Sequence, residues 1–472
     1  MRLIGNAAAG LSLAALAALL WLWQPAFVWR MPGADRIAVA IAACLLWLSL
    51  CAWARRTSGR KPPESASGTV AVVYASQTGS AERLANQTVS SLEAGGIGAR
   101  LIHLRGLDSA ALPRSATEAV LFVVSTTGEG EPPDDARAFV EALRRTPAAV
   151  RDLRYGLLSL GDRSYAHYCG FGREFESLLR TGGATPLFET VEVDNGDATA
   201  IERWHDALGV LGTEALPPLV PEPFLRMRLE ARRLLNPGSP GGPVFHLSLA
   251  PEMGTVRDWQ AGDIAEIRLP GSAGLIREYS LASVPADARL ELLVRQQRHA
   301  DGYGVGSAWL TLDCPLGGPV DVRVRRNSAF HAPEAPRPML LIGNGTGIAG
   351  LRAHLKARAA AKLGGAWLIF GERQSRHDFH FREEIEDWQR TGVIERVDLA
   401  FSRDTAQCIY VQQRIVESGA ALDDFVHRGA AIYVCGSLEG MAPGVDAALR
   451  QVLGSPLLES LAADGRYRRD VY

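Results

Sequence analysis

Short apolar runs separated by amphipathic stretches fill most of this chain, and the pattern changes character twice. Runs at 69–75, 99–104, 119–125, 155–160 and 187–193 have the length and composition of strands, and 81–94, 135–144, 172–180 and 198–210 have helical spacing between or after them. Such alternation predicts a doubly wound parallel sheet. A proline-rich stretch at 216–223 ends it. Short strands with turn signals follow at 224–235, 244–250, 264–269, 290–295 and 320–324, which reads as a small antiparallel barrel. From about 336 the strand–helix alternation returns, with strand cores at 339–342, 366–370 and 431–434. The predicted division is a sheet domain at 69–212, a linker at 213–223, a barrel at 224–335 and a second α/β domain at 336–472.

The first sixty residues follow another pattern. Positions 3–29 carry no charge and positions 37–53 carry none either, so 1–54 predicts a hairpin of two transmembrane helices, with a cleaved signal peptide as the rival reading. Arg55, Arg56, Arg60 and Lys61 open a basic linker at 55–68. By the positive-inside rule they predict a multi-pass protein of the inner (plasma) membrane whose remaining domains face the cytoplasm. All ten histidines lie after position 100, so the hairpin offers no imidazole to a haem.

Composition narrows the function. At 472 residues the chain exceeds one core, and its net charge of −2 argues against a nucleic-acid partner. Six cysteines, at 44, 51, 169, 314, 408 and 435, form no CxxC pair and no Cys/His cluster, so no metal site is expected.

Three phosphate-binding patterns occur in series. Ser76-Gln77-Thr78-Gly79-Ser80 lies between a strand and a helix, giving hydroxyls and backbone N–H groups at a positive helix end, with no lysine. That suits a single monoester phosphate better than a triphosphate. Two more loops leave the same sheet edge, with Thr126, Thr127, Gly128 and Gly130 on one and Gly161, Asp162, Tyr165 and Tyr168 on the other. Their glycines admit a flat ring, and Tyr165 or Tyr168 can stack on it. Glu129, Glu131, Asp134 and Asp135 beside them either guide a basic partner or form a solvated loop. Further on, Arg277-Glu278-Tyr279-Ser280 alternates like a strand, offering a cation for a pyrophosphate and a ring for a flavin; Gly304-Val305-Gly306-Ser307 starts a helix. Finally a strand enters Gly343-Asn344-Gly345-Thr346-Gly347, a glycine turn suited to another pyrophosphate.

Together these motifs resemble the diflavin reductases, among them the sulfite reductase flavoprotein subunit and the NADPH–cytochrome reductases, over residues 69–472. The resemblance implies a flavodoxin-like FMN domain, a ferredoxin-reductase-like FAD barrel and an NADP-binding domain. It assigns FMN to the first set of loops, FAD to Arg277, Tyr279, Ser280 and Gly304–Ser307, and NADPH to Gly345, Thr346, Gly347, Arg373, Ser402, Arg403, Tyr410 and Gln412. It also implies that Ser280, Cys435 and Asp470 surround the reacting nicotinamide and flavin atoms, and that Tyr472 covers the flavin. Four features depart from the family pattern. Thr127 stands where some members have an aromatic; the long insert before Arg277 is missing; Asn344 and Gly350 stand where prolines are common; and Cys408 replaces a lysine, with Arg376 or Arg414 as candidate compensating cations. The expected function is a membrane-anchored NADPH-dependent reductase passing electrons through FAD and FMN to an acceptor, a haem protein or another membrane redox partner. The alternatives are a broad flavin or ferric-chelate reductase without a dedicated partner, and a non-catalytic flavin-binding redox sensor.

Overall fold

The computed structural model describes residues 70–472, apart from 106, 109–111, 113–118, 129, 164, 213–215, 220–221, 255–257, 272–274, 300–301 and 334. The predicted hairpin at 1–54 and the basic linker lie outside the described residues. Among the described residues no helix is long and apolar enough to cross a membrane. The expected inner-membrane placement is corrected accordingly and is not carried forward.

The first sheet is built on β1 (Val70–Ala75), a run of six buried residues. It has apolar cover on both faces, as a central parallel strand requires. Around it stand β2 (Ala99–His103), β3 (Val120–Ser125), β4 (Arg154–Gly161), β5 (Thr185–Pro186) and β6 (Val191–Asp194), all parallel, in the order β2-β1-β3-β4-β5 with β6 also on β4. Helices α1 (Ser80–Ala94), α2 (Arg137–Arg145), α3 (Gly170–Thr181) and α4 (Ala198–Ala207) cover it. Helix α1 buries Ala81, Leu84, Ala85, Thr88 and Leu92, a helical stripe. Thr88 accepts a hydrogen bond from the buried Trp204 indole of α4 at 3.0 Å. Of one predicted strand, 187–193, only the last part is strand, as β6; 187–190 leave the sheet after the short β5. Phe188 turns inward onto Trp204 in an edge-to-face contact, and Gly156 of β4 leaves the room its ring needs.

The second sheet is antiparallel: β7 (Leu225–Leu234), β8 (Val244–Pro251), β9 (Ile264–Arg268), β10 (Ile276–Ser280), β11 (Leu290–Arg295) and, after a ribbon of β12 (Arg298–His299) with β13 (Gly302–Tyr303) and the one-turn helix α5 (Val305–Ala308), β14 (Pro319–Arg325). Its order is β10-β9-β14-β7-β8-β11. The end strands meet just past β10, where Ala282 N donates to Glu291 O at 2.8 Å, so the sheet curls into the expected barrel around Met227, Leu247, Ile267, Leu292 and Val322.

The third sheet is parallel again, in the order β17-β16-β15-β18-β19. Its strands are β15 (Met339–Asn344), β16 (Ala366–Glu372), β17 (Ile394–Phe401), β18 (Ala431–Gly436) and β19 (Tyr467–Val471). Helices α6 (Ile348–Ala360), α7 (Ser375–Asp378), α8 (Arg382–Arg390), α9 (Val411–Glu417), α10 (Gly419–His427), α11 (Met441–Leu453) and α12 (Ser455–Ala463) connect them, with an apolar core on each face. In both α/β sheets the strand order reverses beside β1 or β15, and ligands bind such sheets at that point.

Candidate functional site

The first candidate phosphate loop springs from β1. Gly79 takes a left-handed backbone, φ 85°, before α1, a conformation that costs glycine least. Ser76 Oγ accepts from Ala81 N, while Ser76 N donates to Asp135 at 3.1 Å. The loops after β3 and β4 close over the same edge: Gln77 N reaches Ser125 Oγ at 3.4 Å and Thr126 N reaches Leu160 O at 2.9 Å. Gly130 lies against His167, and Gly161 against Tyr168 and Cys169, each too closely for a Cβ. The Thr126 and Thr127 hydroxyls are buried without a hydrogen-bond partner in the protein, so the donor set fits a polar ligand in this cleft. Of the two candidate stacking rings, Tyr168 has the Arg163 guanidinium 4.6 Å from its centroid, while Tyr165 is exposed. Thr78 and Ser80 flank Gly79 as the sequence requires, and Gly128 and Asp162 sit on the two neighbouring loops.

A cavity of about 490 Å³ opens beside the barrel. Arg277, Glu278, Tyr279 and Ser280 all line it, together with Gly304, Val305, Gly306, Ser307 and Tyr472. Strict alternation would hide half of β10, yet all four of these residues line the cleft. Gly306 carries the Arg277 side chain directly over it, where a Cβ would collide. Thus the two motifs, 27 positions apart, are one surface. The Ser307 hydroxyl fixes the turn, accepting from Gln297 N and donating to Gly304 O, both at 3.0 Å. Burial raises the Tyr279 phenol to about 12, so it stays protonated.

A second cavity, about 640 Å³, is lined by Gly345, Thr346, Arg373, Ser402, Arg403, Tyr410 and Gln412. Gly345 has φ 56°, and Gly347 lies under the Cys435 carbonyl with no space for a side chain. Asn344, at a usual proline position, caps the turn by accepting from Ser437 N at 3.1 Å. Cys408 sits 3.1 Å from the Arg403 guanidinium. The proposed compensating cation Arg414 is engaged elsewhere, with Leu399 O and Glu417, and neither it nor Arg376 lines the cavity; Arg373 does.

The two cavities share a wall made by Tyr472, Thr346, Arg295 and Gln297. Behind it lie three groups from three elements. Ser280 Oγ, at the end of β10, donates to Asp470 Oδ2 at 2.6 Å, and Cys435 Sγ, at the end of β18, lies 3.7 Å from the same oxygen. Parallel pairing sets Cys435 opposite Asp470. All three are buried. Burial pushes the Asp470 carboxyl up, opposed by Ser280 and Arg325, and burial beside Asp470 pushes the Cys435 thiol up. Gly350 allows this closeness: a Cβ there would press on Cys435 Sγ, 3.2 Å away. A negative carboxylate with a hydroxyl and a neutral thiol can stabilise positive charge and hold a flat ring beside it.

Sequence reasoning missed Arg295 and Gln297, which border both cavities. Glu372 holds Arg295 in place; burial opposes its charge, but His380 and Arg295 keep its carboxyl at about 2. The signal was present as the polar Arg295-Gln296-Gln297 closing an apolar strand on the ligand edge. Arg469 was missed as well: it forms a buried ion pair with Asp134 of the first sheet domain.

The Flavodoxin family matches residues 72–204, and the Oxidoreductase NAD-binding domain family matches 341–447. Among curated proteins the chain is similar to the sulfite reductase (NADPH) flavoprotein alpha-component of Neisseria meningitidis serogroup C (strain 053442), 28% identical over 578 aligned positions covering 91% of this chain and 95% of that one. The proteins of the same name from Bacillus subtilis (strain 168) and Vibrio parahaemolyticus serotype O3:K6 are 26% and 27% identical, covering 89% and 86% of this chain and 92% and 86% of theirs. An alignment of 578 positions exceeds the 472 residues of this chain, so the relative carries stretches that this chain lacks.

Proposed function

We propose that this chain is an NADPH-dependent diflavin reductase that binds FMN on the first sheet, FAD in the barrel cavity and NADPH in the second cavity, and hands electrons to a separate redox protein. When bound, these groups supply the chemistry: a hydride from NADPH to FAD, single electrons to FMN, and electrons onward to the acceptor. The observation that carries the reading is the Ser280–Asp470–Cys435 cluster at the shared wall of two nucleotide-sized cavities.

The residues divide the work. Arg277 and the turn at Gly304–Ser307 face a diphosphate, and Tyr279 and Tyr472 flank a ring site. Ser402, Arg403 and Tyr410 form a polar corner suited to a 2′-phosphate, with Arg373 as the added cation. Asp470 keeps negative charge beside a nicotinamide, Ser280 orients that carboxylate, and Cys435 fills the contact without bringing water. The relatives' name makes a sulfite reductase partner subunit the first acceptor to test.

Purified full-length chain should release FMN and FAD in equal amounts on heating, and NADPH should bleach its flavin absorbance without oxygen. A heat extract with one flavin type, or none, rejects the reading.

A further inference from the structure

The last strand does two things at once. Asp470 belongs to the buried cluster behind the cavities, and its neighbour Arg469 reaches out of the third sheet to the first domain. Arg469 grips the Asp134 carboxylate with two nitrogens; Nε to Oδ2 is 2.7 Å. Both side chains are nearly buried, 14% and 11% exposed. The phosphate loop joins them: Gln77 Nε2 donates to Arg469 O at 2.9 Å and to Asp134 at 3.3 Å, and Gln77 Oε1 accepts from Asp134 N at 3.0 Å. Arg468 anchors the strand by donating to Ser328 O at 2.8 Å, and the Ser328 hydroxyl donates to Glu82 of α1. Gly79 packs on the Arg326 carbonyl so tightly that no Cβ fits.

We propose that Arg469 is a positioning residue for transfer between the two flavin sites: its ion pair with Asp134 docks the flavodoxin-like domain against the strand that carries Asp470. The inference rests on the function proposed above. A buried bidentate pair is specific in direction; loss of Asp134 strands the Arg469 charge away from water, and loss of Arg469 leaves Asp134 with Gln77 and a longer 3.4 Å contact to Arg137. That penalty has an exit short of unfolding. The domains share a chain connection at 213–223, and separation returns the orphaned group to water. Loss of Arg469 therefore opens the molecule while each sheet keeps its own core. Because Gln77 contacts both members of the pair, its loop and the buried cluster are joined by three consecutive links, Gln77 to Arg469 O, Arg469 to Asp470 along the chain, and Asp470 to Ser280.

The test uses the full-length flavin-loaded protein. Small-angle X-ray scattering measures whether the domains are docked, and stopped-flow with NADPH separates first-flavin bleaching from the following phase. Arg469→Gln and Asp134→Asn should each enlarge the radius of gyration and slow the second phase about tenfold or more, with first-flavin bleaching retained. The swap Asp134→Arg with Arg469→Asp should restore compactness and most of the rate, which a residue of merely local structural value would not do. Ser328→Ala, which removes the hydroxyl's contacts with Glu82 and Tyr74 but not the ion pair, should stay compact. If the single variants scatter like the parent, or the swap stays open, the proposal is overturned. Should Arg469→Gln be insoluble, Asp134→Asn reads the same pair from its other side. If NADPH bleaches nothing in the parent, the proposed function fails while scattering still decides the docking.

Discussion

The chain contains two strand–turn–helix glycine loops without a lysine, and they are finished differently. The loop after β15 opens on a cavity of about 640 Å³, and its glycines are crowded by their own sheet, Gly347 beneath Cys435. The loop after β1 is crowded from outside. Gly79 meets Arg326 of the barrel and Gln77 meets Arg469 of the last strand, while Ser76 N is taken by Asp135 of its own domain. One loop is a receptacle, the other is a receptacle and a joint. Similar local sequence thus serves different mechanics because a different neighbour completes it.

The largest effect should fall on the receptacle side. Asp470→Asn keeps the shape but removes the charge, and kcat with NADPH should drop about 10²–10³-fold. Because burial raises the Asp470 carboxyl, activity should fall as pH drops through a value above the ordinary carboxylate range, and Asp470→Asn should erase that acid limb. A pH profile of single-turnover bleaching measures both, and an unchanged limb refutes the role.

Acid should next weaken the barrel's hold on the third sheet. Burial opposes the charge of Glu291, but His246 and Arg352 of α6 outweigh it and hold its carboxyl at about 2. A folded value below the unfolded one, near 4.3, means the stabilisation is complete above that pH and is lost as pH falls towards 2. The loss should reach about 3 kcal/mol. Thermal melts between pH 5 and 3 should show the slope, reduced in Glu291→Gln; equal slopes refute the assignment.

A third comparison sets glycine against glycine. Gly347→Ala drives a Cβ into the backbone of Cys435 and Gly436 within one fold, and should destabilise it by about 2–3 kcal/mol. Gly79→Ala meets a backbone that can retreat with its domain, so it should cost about 1 kcal/mol in melting and show itself as domain separation. Equal losses in calorimetry would erase the distinction between receptacle and joint. The smallest effect belongs to Cys408→Lys, which puts a second cation beside Arg403 and should tighten NADPH about fivefold over NADH, roughly 1 kcal/mol. A KM ratio that does not move would show that position 408 does not face the phosphate.

The periodicity of the chain placed β1, β3, β4, β11 and the strands around Gly343 within a residue or two, because buried strands carry their signal in consecutive apolar residues. The loss of strand at 187–190 was hidden, since Phe188 fits the strand pattern but packs on Trp204 instead. At the site, the glycine motifs were legible because close approach demands them. Arg295 and Arg469 were not, since an arginine on a strand end reads as a solvated cap until a partner from a distant element, Glu372 or Asp134, stands beside it. The membrane expectation rested on residues outside those described, and no described helix is long and apolar enough to support it.

Tyr472 and Arg295 form a party wall between two rooms. A molecule long enough to reach past that ring would occupy both rooms together. Inhibitors of that shape should compete with NADPH in the loaded protein and with FAD during reconstitution, whereas shorter analogues should compete with only one of them.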